Sequence, residues 1–297
     1  MYFAKTDQMN NATDLSRRLL KSYPVKILKE HFETAPGNQE EILEEILQNN
    51  SRIEIENFSY SHFNYTKQHI YIYKFQHPYA PTSITQQQLG YKIIKQDVTA
   101  NRLLIFALAD VTFQVIVNFG GAINQVDLNF HQPMMIEVTR HYLIIRFTVL
   151  ESKLTPYFPA NAALYSPTKA VDEKSILTPL IALFANNAPE KADLNKGIKK
   201  LWDDDSIDSR EVKFKKSKSM SKETMDEDNL VKVEYPDVYA ELMKSPLNKT
   251  LFKYLKDNDD LCGHFTCDPT NGEITIPLYS KNTSQIDSVI NEIITNN

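Results

Sequence analysis

The sequence predicts an α+β fold: a large antiparallel meander sheet, an N-terminal helical pair and a small C-terminal helix–hairpin–helix unit. Three observations predict it. Apolar residues alternate with polar ones through most of Arg102 to Leu150. Two amphipathic stretches with segregated charge precede that region. A turn sequence, Asp268-Pro269-Thr270-Asn271-Gly272, separates two apolar runs ahead of a final helical pattern.

Thr13 or Asp14 can cap a first helix carrying Leu15, Leu19 and Leu20, and Val25, Ile27, Leu28 and Phe32 continue its apolar face beyond Pro24. After Pro36-Gly37, Asn38 can cap a second helix that buries Ile42, Leu43, Ile46 and Leu47. Basic residues (Arg17, Arg18, Lys21) fall in the first part and Glu40, Glu41, Glu44 and Glu45 in the second. This helix–loop–helix resembles the SAP module, which binds DNA. The four glutamates stand where that family carries basic residues, so the expected role is a packed helical cap.

Ile53 and Ile55 read as the start of a strand. The aromatics between Phe58 and Tyr79 then suit paired strands, because aromatic side chains fit pleated, half-buried surfaces. Tyr71 and Tyr73 on one strand face form a candidate stacking platform for bases. In the central region Val111, Phe113, Val115 and Val117 alternate with Thr112 and Gln114. A period of two puts Val115 on the core side and Gln114 on the solvent side. Gly120-Gly121 supplies the positive φ of a tight hairpin. Val126, Leu128 and Phe130, then Met134, Ile136 and Val138 after Pro133, then Leu143, Ile145 and Phe147 complete the series. Short connections favour antiparallel pairing. The central meander therefore reads as about five strands, within roughly seven to nine between Ile53 and Leu150.

Residues 170–186 suit a helix packed on an apolar surface, and Lys196 to Trp202 another short one. Between Asp203 and Asn229 apolar content falls and charge rises, which argues for a weakly ordered segment. Arg210, Lys213, Lys215, Lys216 and Lys218 make it the candidate contact for phosphates or an acidic partner. Pro236 starts one C-terminal helix and Ser245-Pro246 a second, with Leu247, Leu251 and Phe252 on its apolar face. The hairpin follows, and Ser284 caps the last helix. The order helix, helix, hairpin is shared by winged-helix domains. The expected organisation is residues 1–50 as helical cap, 51–202 as sheet domain with trailing helix, 203–229 as charged flexible segment and 230–297 as C-terminal unit.

A chain of 297 residues, 42% hydrophobic and 24% charged, is an ordinary globular composition with material for about two domains. No run of about 18 apolar residues is present, so no membrane contact is expected. The two cysteines make no disulfide framework, and a cytoplasmic location is the expectation. The net charge of −5 gives no global attraction to nucleic acid. Seven glycines occur, and no spacing among them makes a P-loop, a dinucleotide fingerprint or a nucleophile elbow.

Cys262, His264 and Cys267 supply at most three ligands where zinc needs about four, so no metal site is expected there. The carboxylates Glu54, Glu56, Asp110, Asp127 and Glu137 are the candidates for a magnesium-dependent nuclease centre, with Asp127, Glu137 and Arg140 nearest to the required pattern. The leading expectation is a non-enzymatic interaction protein: an accessory subunit of a bacterial nucleic-acid-handling or defence assembly. It has no cofactor and no catalytic residue, with a protein partner and nucleic acid as its contacts. A divergent metal-dependent nuclease is the second.

Overall fold

A computed structural model describes residues 11–297 apart from 152, 166–167, 170, 217–218, 225–229 and 256–260, and for 169, 210–216 and 219–224 it describes the backbone. In chain order the elements are α1 (Ala12–Leu20), α2 (Val25–Phe32), α3 (Gln39–Asn49), α4 (Arg52–Ser61), β1 (Gln68–Phe75), α5 (Gln86–Leu89), β2 (Lys92–Val98), β3 (Arg102–Phe119), β4 (Ala122–Thr139) and β5 (Tyr142–Thr148). There follow β6 (Ala163–Leu164), β7 (Thr168–Lys169), α6 (Glu173–Ala182), β8 (Pro189–Lys191), α7 (Asn195–Asp203), β9 (Ile207–Lys216) and β10 (Ser219–Thr224). The chain ends with α8 (Val231–Glu234), α9 (Pro236–Lys244), β11 (Thr250–Tyr254), β12 (His264–Asp268), β13 (Glu273–Ile276) and α10 (Gln285–Thr295). The fold is α+β with a large antiparallel sheet, N-terminal helices packed together and C-terminal helices. Two compact units share it: Met1–Phe63 with Pro81–Ile136 and Phe147–Asn186, and Asn64–Ala80 with Glu137–Arg146 and Asn187–Asn297.

In the first unit, four helices replace the expected pair. Asn38 caps α3 as anticipated, its side chain accepting from Glu40 N and Glu41 N. Arg17 of α1 and Lys21 just beyond it are engaged within the chain: Arg17 pairs with Glu40 and Glu44, and Lys21 Nζ lies 2.8 Å from Glu40 Oε1. Residues 52–61 form α4 and not a strand. Ser51 Oγ accepts from Glu54 N, and the Glu54 carboxylate accepts from Ser51 N at 2.6 Å, so a capping box starts the helix. Leu20, Leu28, Leu43, Ile46, Ile55 and Phe58 pack with Phe106, Leu108 and Met135 of the strands. That contact explains why burial is continuous from Ile105 to Ala109 and alternates only beyond it.

The central meander has fewer and longer strands than its sequence suggests. β3 and β4 each run 18 residues, because neither Asp110 nor Pro133 ends its strand. Pro133 removes one backbone donor and leaves the direction of the chain intact. The stretch from Ile53 to Leu150 therefore holds β1 to β5 alone. Gly120 and Gly121 connect β3 to β4 with φ of 59° and 81°, the two positive values of a type I′ turn. Val115 is fully buried in β3, and Phe147 is fully buried in β5.

His31 and His62 stand on the helical bundle with ring centroids 4.7 Å apart. Burial lowers the affinity of each for a proton, and for His62 the neighbouring His31 lowers it further while the hydrogen bond to the Phe58 carbonyl opposes. The native state thus binds fewer protons here than the unfolded chain, whose histidines titrate near about 6.5. The stability held at pH 7.5 should fall as pH drops through that value. Thermal melts at pH 7.5 and 5.5 should show a smaller drop in His31→Gln than in wild type. Equal drops would show that the pair is not responsible.

The second unit has the strand order β10-β9-β11-β12-β13-β1, with β8 on β1 at Tyr73–Phe75. Its core holds Ile70, Ile72, Trp202, Phe252, Phe265, Ile274 and Val289. One expectation is corrected. Thr250–Tyr254 is a strand where a helix after Ser245-Pro246 was expected, since Thr250, Phe252 and Tyr254 alternate buried positions. The winged-helix order therefore does not hold. Residues 207–216 and 219–224 of the charged segment carry paired strand backbone. The hairpin around 268–272 and the final helix fall where the turn and the apolar spacing place them. Gly197 lets α7 approach α10, because a Cβ there would collide with the Ile293 carbonyl oxygen.

Candidate functional site

The basic run forms part of a two-stranded ribbon. β9 pairs with β11 from Ile207 to Glu211, and with β10 from Glu211 to Lys216. From Val212 onward, among the described pairings, β9 has β10 as its neighbour and nothing else. The register sets Lys213 opposite Lys222 and Lys216 opposite Ser219. Arg210, Lys213, Lys215 and Lys216 thus lie on β9, with their side chains outside the described residues, and Lys218 lies outside them altogether.

The tyrosine platform is weaker than its sequence pattern. Tyr73 is only 6% exposed, and burial raises its phenol pKa, with Glu273 adding to the rise. Tyr71 is half-buried, opposite Glu273 in the register. Tyr73 therefore offers no open face for a base.

The carboxylates considered for a nuclease centre do not gather. Glu54 and Glu56 sit on helix α4, and both have tasks there. Burial pushes the Glu56 carboxyl up, and hydrogen bonds from Lys92 and Arg52 outweigh it and hold it below the usual range. Asp110 lies 2.8 Å from His131 Nδ1, and that bond lowers its pKa. Asp127 is exposed and Glu137 half-buried. Among the described residues no group of three or more His, Cys, Asp or Glu could hold a metal ion. Burial drives the Cys262 thiol up to about 12 and Cys267 well above its ordinary value, so both are protonated apolar groups.

One concavity of the second unit has no signature in the sequence. A cavity of about 390 Å³ opens where the end of β11, the start of β12 and the segment leading into α10 converge. Lys253, His264 and Lys281 are among its polar lining residues, and Leu261, Leu278 and Tyr279 form its apolar wall. Gln285 braces it: only 2% exposed, it accepts from Lys281 N at 2.8 Å and donates to the Leu261 carbonyl at 3.1 Å. Its described lining residues come from three separate segments, 253–255, 261–264 and 278–285, which is why no local motif announces it.

The fold and these features define an α+β protein with a basic β-ribbon and a small cavity. Comparisons with protein-family models, with curated protein sequences and with solved structures return no match. Among the described residues no helix is long and apolar enough to cross a membrane.

Proposed function

We propose that this chain is a non-enzymatic interaction protein that grips nucleic acid through the β9–β10 ribbon, as an accessory subunit of a nucleic-acid-handling or defence assembly with a protein partner. The observation that carries this reading is the ribbon itself. A two-stranded β-ribbon is one of the elements that the major groove, about 12 Å wide, admits. This one is built from the most basic run of a chain whose net charge is −5. Edge lysines also guard strands against unwanted pairing, and β10 ends the strand order. Such guards need no ligand, so the two roles differ in what they bind.

Fluorescence anisotropy with duplex and single-stranded oligonucleotides separates them. Wild type should bind duplex at low salt, with log affinity falling by about 0.9 per decade of salt for each phosphate neutralised. A variant with Arg210, Lys213, Lys215, Lys216 and Lys218 changed to Gln should lose at least about tenfold in affinity and most of that slope. Absence of binding at low salt, or equal binding by the variant, would leave the lysines as edge guards and remove nucleic acid as the partner.

A further inference from the structure

We propose that Asn271 is a latent covalent modification site: its side-chain amide is lost as ammonia when the 268–273 hairpin opens, and the product keeps the hairpin from closing again. Asn271-Gly272 is the only Asn-Gly pair in the chain. In such a pair the backbone nitrogen of the glycine can attack the asparagine Cγ, because no side chain on the second residue hinders its approach. The N–Cγ bond forms, the Cγ–Nδ2 bond breaks, and the proton of the glycine nitrogen leaves with the amide as ammonia. Water then opens the five-membered imide at either carbonyl and returns a proton to the nitrogen. The product is aspartate, or isoaspartate, in which the main chain runs through the former side-chain carbon.

The native fold restrains the groups that must meet. Asn271 Nδ2 donates to Asp268 Oδ2 at 2.9 Å, and Lys191 Nζ donates to Asn271 Oδ1 at 3.3 Å, so both ends of the amide are tethered and cannot swing freely onto the glycine nitrogen. The backbone on either side is pinned as well. Ile72 N donates to Gly272 O at 2.8 Å, Leu194 N to Pro269 O at 2.8 Å, and Thr270 Oγ1 to the Leu247 carbonyl at 2.7 Å. Conversion therefore waits for the hairpin to open. The same packing makes the change one-way. Isoaspartate lengthens the main chain by one atom between Asp268 and Glu273, which are cross-strand partners. Gly272 is buried beside that insertion, and so close to its neighbours that even a Cβ there would collide with the Ile72 carbonyl oxygen. The aspartate product sets a carboxylate where Asp268 held a donor, and Lys191 is already shared with Glu273 Oε1 at 3.3 Å.

This site is separate from the β9–β10 ribbon and stands without the nucleic-acid reading. The test is peptide-mapping mass spectrometry of the full chain, held in mildly alkaline buffer either native or in denaturant above its unfolding midpoint. Electron-transfer fragmentation tells isoaspartate from aspartate. Asn271 should convert ahead of the other asparagines in denaturant, and at least about tenfold more slowly in the native chain. Lys191→Met frees one end of the amide, so it should speed native conversion several-fold and leave the denatured rate as it was. Circular dichroism melts establish that this variant is folded, and Lys191→Ala serves if it is not. Chain recovered with isoaspartate at position 271 should unfold at a lower denaturant concentration than wild type. Equal conversion in the native and denatured chain, no conversion at Asn271 in denaturant, or a native rate unchanged by the Lys191 substitution would overturn the proposal. An isoaspartate-containing chain with the wild-type midpoint would overturn the block on closing.

Discussion

Phe147→Ala should lower the unfolding free energy by about 3–5 kcal/mol, while Gln114→Ala should change it by no more than about 0.5 kcal/mol. Phe147 sits in β5 with no exposed surface, in a run where Leu143 and Ile145 are also fully buried. Truncating it removes the transfer energy of a phenyl ring and leaves a cavity that neighbouring strands cannot close without breaking their ladder. Gln114 lies on the opposite row of β3, between the buried Phe113 and Val115. It contributes little hydrophobic burial that alanine would forfeit. Denaturant titration of both variants against wild type gives the comparison. Two unchanged midpoints would mean that the strand faces are assigned wrongly.

The rows around Phe147 and Gln114 were legible because a strand's side chains alternate whatever its partners are. Gly120-Gly121 and Asn38 were legible for a similar local reason: a turn or a cap is satisfied within a few residues. Helix α4 was also announced locally, by Ser51 and Glu54 at capping-box spacing, but Ile53 and Ile55 mimicked a strand alternation. The basic run was read through its charge, although Val212 and Phe214 alternate with Lys213 and Lys215 as strand residues do. What had no local signature was whatever depends on distant residues. Gly272 O accepts from Ile72 N, and Pro269 O from Leu194 N, so the second unit is assembled from pieces far apart in the chain. The cavity follows the same rule. Lys253 and Lys281 are unremarkable in sequence, and they come to line one cavity only through the path of the chain between them.

Arg146→Met should also be strongly destabilising, between the roughly 1–3 kcal/mol of an orphaned buried acceptor and the roughly 3–5 kcal/mol of a broken buried ion pair. The Arg146 side chain, 2% exposed, donates from Nε to Gln68 Oε1 at 2.8 Å, from one terminal nitrogen to Asp287 Oδ1 at 2.6 Å and from the other to Asn64 Oδ1 at 2.6 Å. Asn64 in turn donates to Asp287 Oδ2 at 3.0 Å and to the Thr283 carbonyl at 2.7 Å. One guanidinium thus ties β5, the approach to β1 and helix α10 of the second unit together. Burial lowers the Arg146 pKa and Asp287 opposes that, and arginine keeps its charge across the working range. Methionine fills most of the volume and supplies no donor, which takes the Nε hydrogen bond away from the fully buried Gln68. Asp287 is 48% exposed, so water takes over its solvation and holds the loss below the full cost of a buried unpaired charge. Arg146→Lys separates charge from shape. An ammonium keeps the charge but cannot reach three acceptors in a planar fork, so it should recover only part of the loss. Denaturant midpoints for Arg146→Met, Arg146→Lys and wild type decide the matter. Full stability in the lysine variant would assign the effect to charge alone, and a methionine variant within about 0.5 kcal/mol of wild type would show that the fork does not hold the unit together.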